Sequence, residues 1–240
     1  MYINFTKAIL LLFTTLICAS IHAQIKGTMT DPRDGQEYKT VEIGNQIWMA
    51  QNLNYAPTDS IFHKKFIEPV SVLSQFNVYI PDSYCYGNVE INCEKYGRLY
   101  HYESAMKACP LGWHLPDTSE YNILLYHLNR AVDNDKYKLY QSLLPGGSSG
   151  FDLLYAGYRR SLFSNAQETQ LAYHALGIQA YLLVSDTTEI TRKTKTTYQS
   201  QYNTALSLFF YIKKRSYTKF RFTEGNSYFL NSVRCIKDSE

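Results

Sequence analysis

The chain has 240 residues, of which 45% are hydrophobic and 22 are tyrosine, and its formal net charge is +3. This charge is too small to indicate a nucleic-acid partner, and the basic residues do not form one block. The length suits one domain or two small ones, with enough apolar side chains for a hydrophobic core. Most tyrosines are expected to fill that core with their hydroxyl groups at its rim.

The N-terminal end predicts a secretory signal peptide over residues 1–23. A basic residue precedes the apolar run 8–17, and cleavage is expected after Ala23. The run is too short to cross a bilayer of ~30 Å. A lipid anchor on Cys18 is the alternative, but the residues before it lack the small side chain usual in lipoprotein signals. We expect one exported domain, 24–240, secreted or held at the cell surface, with no transmembrane segment.

The first elements of that domain are predicted to form a β-meander. A strand-like run around 38–43 is followed by the turn Gly44-Asn45 and by a returning strand that starts at Ile47. Residues 56–82 contain three prolines and mixed polarity, which is typical of a long connection.

Two helices are predicted next. The apolar face of the first has helical spacing and ends before Pro110, with the members Tyr102, Ala105, Met106 and Cys109. Asp117 and Glu120 form an acidic capping box at the start of the second. Its apolar stripe is Tyr121, Leu124, Leu125 and Leu128.

Strands are predicted for most of the second half, after a glycine-rich loop at 143–150. The expected strands are 151–159, 180–184, 205–213, 219–223 and 232–236, with the polar tract 187–195 as a solvated loop or exposed strand. The order of strands and helices, without a repeat or a clean linker, predicts a single α+β domain.

Four cysteines remain after removal of the signal peptide, which predicts two disulfide bonds in an oxidising compartment, with three possible connectivities. Cys85 and Cys93 bracket a turn, so a local bond between them is natural. That pairing leaves Cys109 and Cys235 for the second bond. No CxxC pair or histidine-rich spacing favours a metal, and no cofactor is expected.

Four segments, in this order, resemble the Fibrobacter succinogenes major paralogous domain: DGQEYKTVEIGNQIWMAQNLNY, CEKYGRLYHYESAMKACPLGWHLPDTSEYNIL, GFDLLYAGYR and NSVRCIKD. WHLPDTSEY is also similar to a segment of formylglycine-generating enzymes. Both families are similar in layout to C-type lectin-like domains, in which two helices flank a small antiparallel β core with long irregular loops. The resemblance implies the same bond between a helix cysteine, Cys109, and a last-strand cysteine, Cys235.

The chain departs from that family in its second half. The family's Trp-rich YWWSST segment is replaced by residues 181–186, and the tract 187–203 is unlike the usual short turns. Because these regions correspond to exposed loops, the resemblance implies nothing about the preferred ligand.

His114 is the main catalytic candidate, and it lies in a sequence rich in reactive residue types. A catalytic base needs a nucleophile or an orienting carboxylate, and the nearby Asp117 and Glu120 are better explained as helix caps. We therefore predict a structural His114 and a core position for Trp113. Formylglycine-generating enzymes use a reactive cysteine pair, whereas Cys235 is needed for a disulfide, so no catalytic residue is assigned and no enzyme is expected.

Calcium-dependent sugar binding lacks its usual ligand triplets. Glu68-Pro69-Val70 resembles one triplet, but it precedes the first helix, and no Trp-Asn-Asp occurs. Asp59-Ser60-Ile61 and Asp186-Thr187-Thr188 fit a short O-glycosylation pattern that also occurs by chance.

The sequence thus predicts an exported, non-catalytic binding or adhesion module whose ligand is a glycan or another surface protein. Loops between about 158 and 229 would contact it, with Arg159, Tyr173, Tyr198 and Tyr202 as the candidate contact residues. A divergent oxidase related to formylglycine-generating enzymes and a structural subunit of a surface assembly are the alternatives.

Overall fold

The computed structural model of the chain describes residues 26–57, 82–160, 172–193, 199–211, 219–224 and 229–239. Within them, short helices and mainly antiparallel sheets confirm the α+β class. The predicted signal peptide, the triplet at Glu68 and the pattern at Asp59 lie outside the described residues.

The elements follow one another along the chain with irregular segments between them. The strands are β1 (Lys26–Thr30), β2 (Glu37–Ile43), β3 (Gln46–Met49), β4 (Ser83–Tyr84), β5 (Leu99–Tyr100), β6 (Trp113–His114), β7 (Tyr158–Arg160), β8 (Tyr173–His174), β9 (Gln179–Lys193), β10 (Gln199–Tyr211), β11 (Lys219–Glu224), β12 (Phe229–Ser232) and β13 (Ile236–Lys237). The helices are α1 (Glu90–Tyr96), α2 (Tyr102–Ala105), α3 (Thr118–Ala131) and α4 (Lys136–Leu143).

Two sheets organise the described strands. The first has the order β1-β2-β3-β13-β6 and contains the predicted meander, in which Gly44 turns the chain with a φ of 65°. The second has the order β11-β10-β9-β12-β5-β4, with β7 and β8 attached through β12. The last strands, β12 and β13, lie in different sheets, so the C-terminal end of the chain joins the two.

The helix α3 begins as predicted. The carboxylate of Asp117 accepts a hydrogen bond from the Glu120 amide at 2.7 Å, and the Glu120 carboxylate accepts from the Asp117 amide at 2.9 Å. This reciprocal capping satisfies amide groups that lack a partner inside the helix. The predicted apolar stripe of α3 is buried in full.

Several predicted boundaries are wrong. The helix predicted from Tyr102 to Cys109 is α2, which ends at Ala105. Beyond it, the amides of Lys107 and Ala108 donate to carbonyls three residues earlier, as in a tight turn, and Met106 is 47% exposed. The helix α1 was read as a turn between cysteines, and α4 was missed because Leu139 and Leu143 are too few for a clear stripe. Asp135 caps α4 by accepting from two backbone amides.

Two predicted strands are also only partly present. Residues 151–156 are irregular, and Asp152 has a positive φ of 49°. The run 232–236 is interrupted between β12 and β13, since the carbonyls of Val233 and Cys235 accept from the amides of Leu53 and Met49. The apolar composition of these segments is typical of strands, but their backbone groups pair with separate parts of the chain.

The main hydrophobic core lies between the helices α3 and α4 and the strands β2, β3 and β9. Trp48 is fully buried there, with its ring centroid 5.2 Å from that of Tyr121 and 5.8 Å from that of Phe151. Trp113, which the sequence placed in the core, is only partly buried and packs against a second cluster around Tyr38 and Met49.

Both predicted disulfide pairs are confirmed. Cys85 and Cys93 are bonded with their Cα atoms 4.8 Å apart, and Cys109 and Cys235 with theirs 5.8 Å apart. The first bond closes the loop around α1, and the second joins the end of the α2 turn to the segment before β13. In the described part of the chain, no helix has the length and apolar character needed to cross a bilayer.

Candidate ligand-binding surface

The imidazole of His114 is held between two carboxylates. Its Nδ1 lies 2.6 Å from Oδ1 of Asp238, and its Nε2 lies 2.8 Å from Oε1 of Glu120. We call these three residues the histidine clamp. It connects β6 to the start of α3 and to the end of the chain after β13, and the Asp238 amide also donates to the carbonyl of Gly112 at 2.9 Å.

The protonation of the clamp fits a structural role. Burial by itself lowers the pKa of His114, but the hydrogen bonds to Asp238 and Glu120 outweigh it and raise that pKa above its ordinary value of 6.5. Both ring nitrogens face carboxylates, so neither is free to take a proton from a substrate. Glu120 caps α3 as predicted, and its second carboxylate oxygen also bonds to His114, a contact that the sequence pattern did not indicate.

Arg234 is a second polar centre, and it is fully buried. Its guanidinium donates to the carbonyls of Phe151 and Asp152 and, at 2.7 Å, to Oδ1 of Asn52. Burial lowers the pKa of Arg234 to about 10. The side chain lies inside the protein, where it fixes the irregular segment 151–156 rather than meeting a ligand.

One group of residues in the described chain has the side-chain types and spacing of a metal site: Cys85, Glu90 and Cys93. The two sulfur atoms are joined in a disulfide bond, and a thiolate is the form of cysteine that binds metal. The group is therefore a structural staple.

Arg159 and Tyr173, two of the predicted contact residues, lie next to each other and face inward. The guanidinium of Arg159 lies 3.9 Å from the ring centroid of Tyr84, and the Tyr173 hydroxyl donates to Oδ1 of Asn88 at 2.6 Å. Tyr173 is 8% exposed, and burial raises the pKa of its hydroxyl. The expectation of an exposed Tyr173 is wrong, because β7 and β8 turn this face toward the cluster around Leu230.

For the other two predicted contact residues, Tyr198 and Tyr202, no side-chain position is described. Tyr198 lies outside the described residues. Tyr202 belongs to β10, where its backbone pairs with Ile190 of β9.

The carboxylate of Asp186, part of one O-glycosylation pattern, accepts hydrogen bonds from the amide and hydroxyl of Thr118 and so binds the start of α3.

The opposite face of β7 carries a continuous row of rings, which we call the aromatic strip. Tyr158 is at its centre, with its ring centroid 5.1 Å from His174, 5.2 Å from Tyr181 and 5.4 Å from Phe229. Phe209 extends the row, 4.7 Å from Tyr181. All five side chains are partly exposed.

The strand register places these rings together. Tyr158 is opposite His174 in the β7–β8 pair, and Tyr181 is opposite Phe209 in the β9–β10 pair. A bridge from Gly157 to Ala180 brings the two pairs side by side. Gly157 has a φ of 67°, and a Cβ atom there would lie 2.2 Å from the His174 carbonyl oxygen, so the approach requires glycine.

The strip offers partly exposed aromatic ring faces, while the Tyr181 hydroxyl donates to Oε1 of Gln179 and Nε2 of His174 is buried. Aromatic ring faces of this kind bind the apolar faces of sugar rings or a partner protein. The sequence did not reveal the strip, because its members are distant in the chain and Tyr181 and Phe209 alternate with buried Leu182 and Leu208 as core residues do.

A sequence model of the family described as the Fibrobacter succinogenes major domain matches residues 41–237. The match covers more than half of the chain, so the chain belongs to this family. The resemblance inferred from the four sequence segments is thereby confirmed. Searches of curated proteins and of solved structures returned no match.

Proposed function

We propose that this member of the Fibrobacter succinogenes major domain family is an exported, non-catalytic binding or adhesion module. Its ligand is a glycan or another surface protein, and the aromatic strip is the surface that contacts it. The observation that carries the proposal is the partial exposure of a row of five rings on β7, β8, β9, β10 and β12, each in contact with at least one other ring of the row. Rigid amphipathic rings contribute contact area at a low cost in conformational entropy.

A non-catalytic role is supported by the state of the reactive residue types. The four cysteines of the domain form two disulfide bonds, which leaves no thiol pair for chemistry of the formylglycine-generating type. The nitrogens of His114 are both held by carboxylates.

The export and the finer fold belong to the same proposal. Two disulfide bonds suit an oxidising compartment and therefore cleavage of the predicted signal peptide after Ala23. The bond from the segment after α2 to Cys235 near the C-terminal end supports a C-type lectin-like layout, as do the irregular connections between the strands.

The test is binding of the exported chain, residues 24–240, to a glycan array and to a surface-protein pull-down. Tyr158→Ala and Tyr181→Ala should each lower the affinity for the ligand by about tenfold or more, as truncation of a central interface residue does. Tyr126→Ala is the control, because Tyr126 is a 56% exposed tyrosine on α3, outside the strip.

A ligand that binds both strip variants as tightly as the unchanged chain would overturn the proposal, as would failure of any ligand to bind. The oxidase alternative predicts a reactive free thiol in the native protein, whereas the binding module predicts none by thiol titration under denaturing, non-reducing conditions. Cys18 is absent from the chain used, so it does not contribute to this measurement.

A further inference from the structure

A cation lies at the β12 end of the aromatic strip. Arg160 is exposed, and its guanidinium lies 5.7 Å from the ring centroid of Phe229, its partner in the strand register. No ion pair within the described residues involves Arg160. A guanidinium beside an exposed ring can donate two parallel hydrogen bonds to an acid group of a molecule that stacks on the ring.

The positive charge of the chain is concentrated in one segment of the sequence. The segment 187–224, which includes residues 187–193 of β9 and all of β10 and β11, contains eight lysine and arginine residues and two acidic residues. The rest of the chain contains sixteen basic and nineteen acidic residues. The net positive charge of the protein therefore comes from this segment, and a positive region attracts an anionic ligand.

Two positions of that segment are adjacent to the strip in the strand register. Arg221 of β11 is the cross-strand neighbour of Phe209, and Lys219 is that of Tyr211 at the end of β10. Three consecutive basic residues, 213–215, come between β10 and β11 in the sequence. In the strand register, each end of the row of rings thus has a basic neighbour: Arg160 beside Phe229 and Arg221 beside Phe209.

We infer that the ligand of the aromatic strip is an acidic polysaccharide, a glycan whose sugar rings stack on the strip and whose carboxylate or sulfate groups meet Arg160. This inference rests on the proposed function and narrows its ligand. The strip favours a glycan over a partner protein because it consists of aromatic rings without an aliphatic side chain. Of the described aliphatic side chains that are well exposed, Ile91, Leu111 and Ile123 belong to α1, the segment before β6 and α3, and Ile178 lies in the turn between β8 and β9, outside the row of rings.

The test compares two polymers that differ in charge alone. Polygalacturonate carries a carboxylate on each sugar, and its full methyl ester is neutral with the same ring. The exported chain should bind polygalacturonate at least tenfold more tightly than the ester at low salt, and added salt should reduce the difference. A sulfated galactan in a parallel measurement distinguishes a sulfate from a carboxylate preference.

Arg160→Gln should lower the affinity for the acidic polymer by about tenfold, which is the range for a charge-assisted hydrogen bond. The affinity for the methyl ester should not change. Arg130→Gln is the matched control, because it removes the same charge from an exposed position on α3. Loss of binding in both variants would show an effect of net charge alone and overturn the assignment to Arg160.

Equal binding of polymer and ester would overturn the acidic ligand, and so would binding of a neutral glycan or of a partner protein alone. In these cases loss of binding in Tyr158→Ala would still support the proposed function. Tighter binding of an oligothymidylate than of either acidic polymer would overturn the glycan assignment. If the strip variants bind every probe as the unchanged chain does, the proposed function itself fails.

Discussion

The histidine clamp and the aromatic strip contrast two ways of using polar and aromatic side chains. In the clamp, each polar atom of His114 has a partner from another part of the chain, and Glu120 bonds with both of its carboxylate oxygens. In the strip, the rings contact one another at centroid distances near 5 Å and remain partly exposed. In the first arrangement both ring nitrogens are paired inside the protein, and in the second the aromatic ring faces are partly exposed.

This difference warns against reading function from residue types alone. The segment 108–128 contains cysteine, histidine, tryptophan and acidic residues, the usual constituents of active sites, and it is the joint of the scaffold. The strip contains ordinary strand residues such as Phe209, and its rings are partly exposed.

The largest effect should follow from opening the scaffold at Cys109. Cys109→Ser or Cys235→Ser should lower the free energy of unfolding by about 5 kcal/mol in the chain-entropy account, because the bond closes a long loop. The bonded residues are 126 positions apart. Denaturant unfolding of the exported chain would measure the change.

The control is the short loop. Cys85→Ser, which opens a bond with a separation of 8 residues, should cost about half as much in the same account. An unchanged unfolding free energy for Cys235→Ser would contradict the role of this bond as the staple of the joint.

Arg234→Met should have the next largest effect, a loss of about 3 kcal/mol, because three acceptors from two separate segments would lose their donor. These acceptors are Oδ1 of Asn52 and the carbonyls of Phe151 and Asp152. Arg130→Gln on exposed α3 should change the stability by less than about 0.5 kcal/mol. If both variants unfold at the same denaturant concentration, the buried guanidinium does not support the core.

Tyr158→Phe sharpens the contrast at the strip. The ring face is retained, so the affinity for the ligand should fall by no more than about threefold, whereas Tyr158→Ala should reduce it by about tenfold. Titration by calorimetry with the best ligand from the array would give both values. Equal losses in the two variants would indicate that the hydroxyl, rather than stacking, binds the ligand.

The smallest effect should be the pH dependence of the histidine clamp. Because the folded-state pKa of His114 is raised above 6.5, its stabilisation is fully present below pH 6.5 and is lost as the pH rises through the folded-state value. The side chain is 42% exposed, so screening by solvent should keep the contribution below about 1 kcal/mol. Unfolding free energies between pH 5 and 9 should decline less in His114→Asn than in the unchanged chain. Parallel pH profiles would contradict this role.

Local patterns made parts of the fold predictable. The capping box at Asp117, the stripe of α3 and the turn at Gly44 depend on neighbours within a few residues, and all three are confirmed. The boundaries around 151–156 and 233–235 were not predictable, because buried backbone groups there pair with distant segments such as the one containing Leu53. The apolar side chains that are buried there are also those that a strand would carry, so the sequence pattern predicted strands.

The sequence by itself determined the family through its ordered motifs and the α+β class through its periodicity, and the short spacing of Cys85 and Cys93 together with the family resemblance predicted both disulfide pairs. Only the tertiary structure decided which chemistry-bearing residues are committed inside the protein. Tyr173 turned inward and Tyr158 outward on adjacent strands, because successive side chains of a strand point to opposite faces and the partner strands fix which face is covered. The aromatic strip exists because β7, β9 and β12, remote in the chain, lie side by side.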